Sequence, residues 1–315
     1  MLEPSVKIAQ LVKKFEDKTA LNGISLEVLP GEMFGLSGPD GAGKTTLMRI
    51  LCGLLDYQEG EVLVLGKNLK TELKKVRSLV GYMPERFSLY PDLTVKENLR
   101  FFGRLFQVPE AERKEREKRL LRFSGLEEFQ GRRAGQLSGG MKQKLALACT
   151  LIHQPEVLFL DEPTTGVDPV SREEFWQILN ELKALGTTIM ISTPYLDEAE
   201  VCDRVAFFYQ GKILACDSPS KLKELFPGEL YELKGEGLFA LAQQLSSLGL
   251  EGVVEVQLYG DRLHFHLEEG TDSEKVISQA LKRFNRTDLT PRRISPGLEN
   301  VFAWLIRQSE LKANV

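Results

Sequence analysis

The sequence predicts an α/β fold built on a parallel, doubly wound sheet, followed by a smaller α+β domain of ferredoxin-like order. Three observations carry that expectation. A glycine-rich stretch, G-P-D-G-A-G-K-T-T at 38–46, sits between a short apolar strand at 32–36 and an amphipathic run at 46–54. Two further apolar runs, V-L-F-L at 157–160 and the segment 187–192, flank an amphipathic helix at 172–185, so buried strands alternate with helices. From F-P-G at 226–228 the composition shifts, and the remaining chain reads β-α-β-β-α-β with a final helix.

The elements follow in order. Residues 6–12 and 20–29 alternate as antiparallel strands, joined by a polar connection, K-K-F-E-D-K, at 13–18. Phe15 in that connection is either local packing or a stacking platform for an adenine ring. Strands are expected at 61–65 and 77–83, and the stretch 86–150 turns helical. There Thr94 and Glu97 form a capping box opening a helix at 95–106, and 111–123 is a charge-rich amphipathic helix with a solvated face. An apolar helix covers 142–152. Beyond 228, strands fall at 230–234, 253–259, 262–267 and near 289–294. Helices fall at 238–248, after a Thr271/Glu274 capping box, and at 298–307. His264 and His266 share one strand face but have no further nearby ligand, so they are not read as a metal site.

The bulk numbers bound the function classes. A chain of 315 residues with 42% hydrophobic and 27% charged content is ordinary for a globular protein of about two domains. A net charge of −4 supplies none of the basic surface that non-specific nucleic-acid binding needs. Cys52, Cys149, Cys202 and Cys216 are scattered among apolar residues without metal spacing, which suggests reduced core thiols and a cytoplasmic setting. No apolar run approaches a membrane span, and the opening M-L-E-P-S-V-K lacks the apolar core of a signal peptide.

Gly38, Gly43, Lys44 and Thr45 have phosphate-loop spacing. The glycines turn backbone N–H groups onto phosphates, Lys44 reaches the β/γ-phosphates, and the Thr45 hydroxyl ligates Mg²⁺. The loop residues Pro39, Asp40, Gly41, Ala42 and Thr46 complete the cradle, and the following helix start adds partial positive charge. Asp161 ends the apolar strand at 157–160, where it holds Mg²⁺ directly or through water, and Glu162 beside it is the general-base candidate. The alternative is two solvated acids at a strand end. L-S-G-G-M at 137–141 offers a second anion-binding helix start through Ser138, Gly139 and Gly140. If the two helix starts lie on opposite faces, a head-to-tail dimer sandwiches nucleotide between them.

Together these stretches resemble the ATP-binding cassette (ABC) family over residues 5–220. L-S-G-G-M resembles the family signature, V-L-F-L-D-E the Walker B strand, and T-G-V-D, ending at Asp168, the D-loop. The resemblance places Asp168 with Lys44 and Glu162 in the catalytic set and Phe15 on the adenine. G-Y-M-P-E-R-F-S-L-Y-P-D-L-T-V-K-E-N-L at 81–99 is similar to bacterial ABC-2-type multidrug exporter subunits. The implied layout is an ABC cassette over 1–226, with a RecA-like core, an antiparallel β subdomain and a helical subdomain at 86–150, and an accessory domain over 227–315. The implied ligands are ATP and Mg²⁺, the implied site the cytoplasmic face of the inner membrane. The implied partners are a transmembrane permease, docking on 85–125 and especially Phe87 to Tyr90, and a second cassette, identical or a catalytically complete paralogue; no nucleic acid is implied.

Three positions depart from the family pattern. Glu85 replaces the Q-loop glutamine, keeping an oxygen for Mg²⁺ but adding negative charge. Pro194 stands where the switch histidine falls and has neither side-chain donor nor N–H. Asp40 replaces the commoner asparagine. The expectation is a site that binds ATP but turns it over slowly. The rival reading is a non-transport ABC ATPase or nucleotide-gated switch in translation or DNA maintenance. Members of those kinds carry two cassettes in one chain or a long coiled coil, which this sequence does not contain.

Overall fold

A computed structural model describes residues 3–86, 88–246 and 248–313. The chain divides into two compact units, Met1–Pro219 and Ser220–Val315.

The first unit opens with β1 (Val6–Phe15) and β2 (Lys18–Val28), an antiparallel pair. Val6, Ile8 and Leu11 all face the core although the last two are three residues apart. A bulge with Gln10 in left-handed backbone (φ 49°) absorbs the extra residue and restores the alternation. There follow β3 (Met33–Ser37), α1 (Lys44–Leu51), β4 (Glu59–Val64), β5 (Lys67–Asn68), α2 (Leu73–Leu79) and β6 (Val80–Met83). The helical stretch comprises α3 (Val95–Leu105), α4 (Glu110–Phe123) and α5 (Gly139–Leu151). The unit closes with β7 (Val157–Asp161), α6 (Pro169–Ala184), β8 (Thr188–Thr193), α7 (Leu196–Ala199), β9 (Arg204–Tyr209), β10 (Lys212–Asp217) and the start of α8 (Pro219–Glu224).

Two sheets result. One is antiparallel, in the order β2-β1-β4-β5; the other runs β10-β9-β3-β8-β7-β6 and is parallel except for its β10 edge. Every residue of β3, β7 and β8 is buried, as expected for strands covered on both faces. Phe34, Phe159 and Phe208 of the parallel sheet share one core with Val6, Ile8 and Leu11 of the antiparallel one.

In the second unit β11 (Glu229–Lys234), α9 (Leu238–Ser246), β12 (Val253–Tyr259), β13 (Arg262–Leu267), α10 (Ser273–Arg283), β14 (Arg292–Ile294) and α11 (Leu298–Ala313) give an antiparallel sheet ordered β12-β13-β11-β14. Leu233, Leu263 and Phe265 pack with Leu241, Leu245, Ile277 and Leu281 in an apolar core. The opposite face is polar and lies against α11. Asn300 donates from Nδ2 to His264 Nδ1 (3.0 Å), Arg307 pairs with Glu255 (2.9 Å), and His266 donates to the Pro227 carbonyl (2.7 Å). Among the described residues no helix is long and apolar enough to cross a membrane.

Several local expectations are corrected. The stretch 13–18 is not a polar connection: β1 runs to Phe15, which pairs with Lys18, and only Glu16 and Asp17 turn. Lys14 persists there on an exposed strand position, while Lys13, buried, carries its ammonium over the Phe15 ring. Residues 73–79 are helical and the strand begins only at Val80. The Thr94/Glu97 box caps α3, but α10 is capped by Asp272, whose carboxylate accepts from Lys275 N–H, instead of by Thr271. The last strand is short, and α11 runs past residue 307 to Ala313.

Phe159→Ala, at a fully buried site in a central strand, is expected to cost about 3–5 kcal/mol, against about 1 kcal/mol for the exposed cap change Thr94→Ala. Denaturant midpoints of the two variants check that order. In the second unit, burial lowers the pKa of both His264 and His266 below the ordinary 6.5, more than Glu232 and the Pro227 carbonyl respectively raise it. The unfolded chain therefore protonates first as pH falls, so this stability is full above about pH 6.5 and is lost progressively below it. Hydrogen exchange in the intact chain, corrected for intrinsic rates, should show α11 losing protection as pH falls below about 6.5, and less so in His264→Gln, which removes the titrating partner of Asn300.

Candidate active site

The parallel strands deliver their loops to one edge. β3 ends at buried Ser37, and the chain crosses 38–43 before α1 begins at Lys44. Gly43, at the N-cap of α1, has φ 113°, and a Cβ there would lie 2.7 Å from the Ala20 carbonyl oxygen. At Gly38 a Cβ would lie 2.2 Å from the Phe208 carbonyl oxygen. Both positions therefore require glycine, and the loop presents the free N–H groups of a helix start. The Lys44 side chain is buried and folds back on the loop. Its Nζ donates to the carbonyls of Gly38 (2.7 Å) and Pro39 (3.2 Å) and lies 3.3 Å from Glu162 Oε1.

β7 delivers the acids. Asp161 pairs in register with Ser192 of β8 and is 0% exposed. Its Oδ1 accepts from Ser192 Oγ (2.7 Å) and Thr45 Oγ1 (3.1 Å), and its Oδ2 from the Tyr82 hydroxyl (3.4 Å). Burial first, and then the charge of Asp161, push the Tyr82 phenol up, so it stays protonated and donates. Glu162 has left-handed backbone (φ 49°), with its N–H bonded to Ser192 at both the carbonyl oxygen (3.1 Å) and Oγ (3.0 Å). Its Oε2 accepts from Thr165 Oγ1 at 3.4 Å.

A cleft of about 500 Å³ gathers Phe15, Asp40, Gly41, Ala42, Gly43, Lys44, Thr45, Thr46, Glu85 and Glu162. Asp161 joins them through Thr45, while Gly38 and Pro39 act on Lys44 through their carbonyls. Ser138, Gly139, Gly140 and Asp168 do not line this cleft. Ser138 caps α5 by accepting from Met141 N–H (3.3 Å). Asp168 caps α6, where the Ser171 N–H (3.0 Å) holds its carboxyl below the usual range. The two caps touch: a Cβ on Gly140 would lie 2.4 Å from Ser171 Cβ, and one on Gly139 3.6 Å from the Gly166 carbonyl oxygen. Pro194 directly follows Thr193, whose hydroxyl, with that of Thr164, binds the buried Glu198 at 2.6 and 2.7 Å. Phe87 lies outside the described residues, whereas Tyr90 is exposed.

These groups fit a nucleoside triphosphate with a hard divalent cation. The cleft is within the usual volume of ligand pockets, an ammonium and a helix start face its floor, and an exposed aromatic stands at its rim. Thr45 Oγ1 beside Asp161 Oδ1, with Glu85 in the lining, is an all-oxygen donor set of the kind Mg²⁺ prefers. Lys18, Ala20, Tyr82, Thr165 and Ser192 were not visible as site residues in the sequence. Ser192 left the one usable signal, since it is the first polar residue closing the apolar run I-M-I at 189–191.

A family model described as "ABC transporter" matches residues 21–165. The chain is 36% identical over 304 residues to the Nod factor export ATP-binding protein I of Paraburkholderia xenovorans, covering 96% of this chain and 97% of that protein. It is 44% identical over 221 residues to the probable multidrug ABC transporter ATP-binding protein YbhF of Escherichia coli K12, spanning 70% of this chain but only 38% of that longer protein. Among solved structures, a dimeric ATP-binding cassette in a post-hydrolysis state bound to ADP and Pi superposes with a TM-score of 0.62 at 28% identity, over 68% of this chain and 98% of that one.

Lys44→Ala is expected to weaken binding of a fluorescent nucleoside triphosphate about 10- to 100-fold, the usual worth of a charge-assisted bond. Gly43→Ala, with its left-handed backbone and the clash at the Ala20 carbonyl of β2, is expected to weaken it on the order of tenfold by shifting the loop or that end of the strand. Titration of both variants checks this.

Proposed function

This chain belongs to the ABC transporter ATP-binding family, and from that premise we propose that it is the ATP-hydrolysing subunit of an exporter, coupling turnover to efflux through a separate membrane subunit. The observation that carries the reading is the convergence of Lys44, Thr45, Asp161 and Glu162 on one cleft with Phe15 at its rim. The export functions printed in the names of its relatives support the transport half.

In this reading Lys44 exchanges the Gly38 and Pro39 carbonyls and Glu162 for phosphate oxygens. Glu162, released from the ammonium, is then the acceptor for the proton of an attacking water. Thr45, Asp161 and Glu85 would hold Mg²⁺, which when bound neutralises charge on the β/γ-oxygens. Phe15, with Lys13 Nζ 4.7 Å from its ring centroid, offers its face to the adenine.

Ser138, Gly139 and Gly140, outside their own chain's cleft, serve the cleft of a second cassette in a head-to-tail dimer, with Asp168 at the junction. The stretch 85–125 exposes Tyr90, Phe101, Leu105 and Phe106, an apolar surface suited to a permease at the cytoplasmic face of the membrane. The cassette occupies the first compact unit, Met1–Pro219, which stops short of the boundary expected at 226, with its helical part at 86–150, and the second unit, Ser220–Val315, is an accessory domain. Pro194 provides no donor toward the transferred phosphate, and Glu85 adds an acid to an anionic site. The site is accordingly degenerate and slow, and the second cassette carries the faster chemistry. The same proline favours the second reading, a nucleotide-gated switch with little catalysis.

Steady-state ATPase activity tests this. The wild type is expected to bind ATP and hydrolyse little, Pro194→His to gain up to about 10²-fold, and Glu162→Gln to abolish what remains. An ordinary turnover in the wild type that Glu162→Gln removes would instead indicate a self-sufficient motor.

A further inference from the structure

We propose that Ser192 is the positioning residue for the acid pair, setting Asp161 for the cation and Glu162 for the water through one hydroxyl, with Tyr82 as a weaker second support. The inference rests on the nucleotide reading above and adds residues that no motif assigns.

Ser192 is fully buried at the end of β8, in register with Asp161. Its single hydroxyl proton goes to Asp161 Oδ1 at 2.7 Å, the shortest of the three bonds to that carboxylate, and its oxygen accepts the Glu162 N–H at 3.0 Å. The two bonds form a chain from backbone N–H through hydroxyl to carboxylate, an arrangement in which each bond strengthens the other. The same Oδ1 accepts from Thr45, so rotation of the Asp161 carboxylate would move the oxygen that faces the loop. The Glu162 N–H also bonds the Ser192 carbonyl (3.1 Å), and the hydroxyl adds to that bond in pinning Glu162 where its backbone is left-handed, a conformation that needs local support in a residue other than glycine. Tyr82 touches only Oδ2, at 3.4 Å. Groups that orient a cation's ligands usually govern its affinity by about 10- to 100-fold.

The test uses Mn²⁺, read by electron paramagnetic resonance, on the full chain loaded with a non-hydrolysable β,γ-imido ATP analogue. Metal-free affinity for the analogue should stay within about twofold of wild type in Ser192→Ala and Tyr82→Phe. Mn²⁺ affinity should fall on the order of tenfold in Ser192→Ala and about twofold in Tyr82→Phe. Ser192→Cys, which keeps the volume and a weak donor, should fall between wild type and alanine and stands in if the alanine variant does not fold. Equal Mn²⁺ affinity in wild type and Ser192→Ala would overturn the proposal alone. So would an equal loss of metal-free analogue binding, which marks a merely structural hydroxyl. A wild type that binds no analogue would sink the nucleotide reading and this proposal with it.

Discussion

A carboxylate held wholly out of water at the end of β7 constrains everything around it. An ionised group in that position is tolerable only if donors replace its hydration, and Asp161 obtains them from three separate elements. Ser192 comes from the neighbouring strand, Thr45 from the first turn of α1 and Tyr82 from β6. Satisfying one charge thus fixes the register of β7 on β8 and the depth at which α1 enters the sheet. Removing a donor would leave part of that charge unpaired.

Glu162 and Lys44 extend the same logic outward. Both are buried, and each partly compensates the other at 3.3 Å. An entering anion competes for the ammonium on favourable terms only if its own charge exceeds what the glutamate supplies, which suits a multiply charged phosphate chain and disfavours a single carboxylate.

The sequence exposed those features whose causes are local. Glycines at 38 and 43 are dictated by backbone close to the chain itself, and fully apolar runs such as V-L-F-L identify strands buried on both faces. The cleft's phosphate-loop residues and acids were legible for that reason. What escaped depends on distant register. Ser192 reaches Asp161 across a strand pair, Tyr82 reaches it from a strand 79 positions away, and Lys18 and Ala20 line the cleft because of how the first hairpin lies. The charged stretch around Phe15 hid the end of a strand, because register shifts at Leu11/Val12 and Lys13/Lys14 interrupt the alternation that would have marked it. Asp272 displaced Thr271 as a cap because neighbouring residues offered equivalent caps one position apart.

The contact of Gly140 with Ser171 has a mechanical consequence. With no side chain on the glycine, the first turn of α5 rests directly on the first turn of α6, and a single methyl group would force the two apart. Helix starts in such contact have no slack to slide over one another. Force applied to L-S-G-G-M is therefore met directly by the first turn of α6, which Asp168 caps.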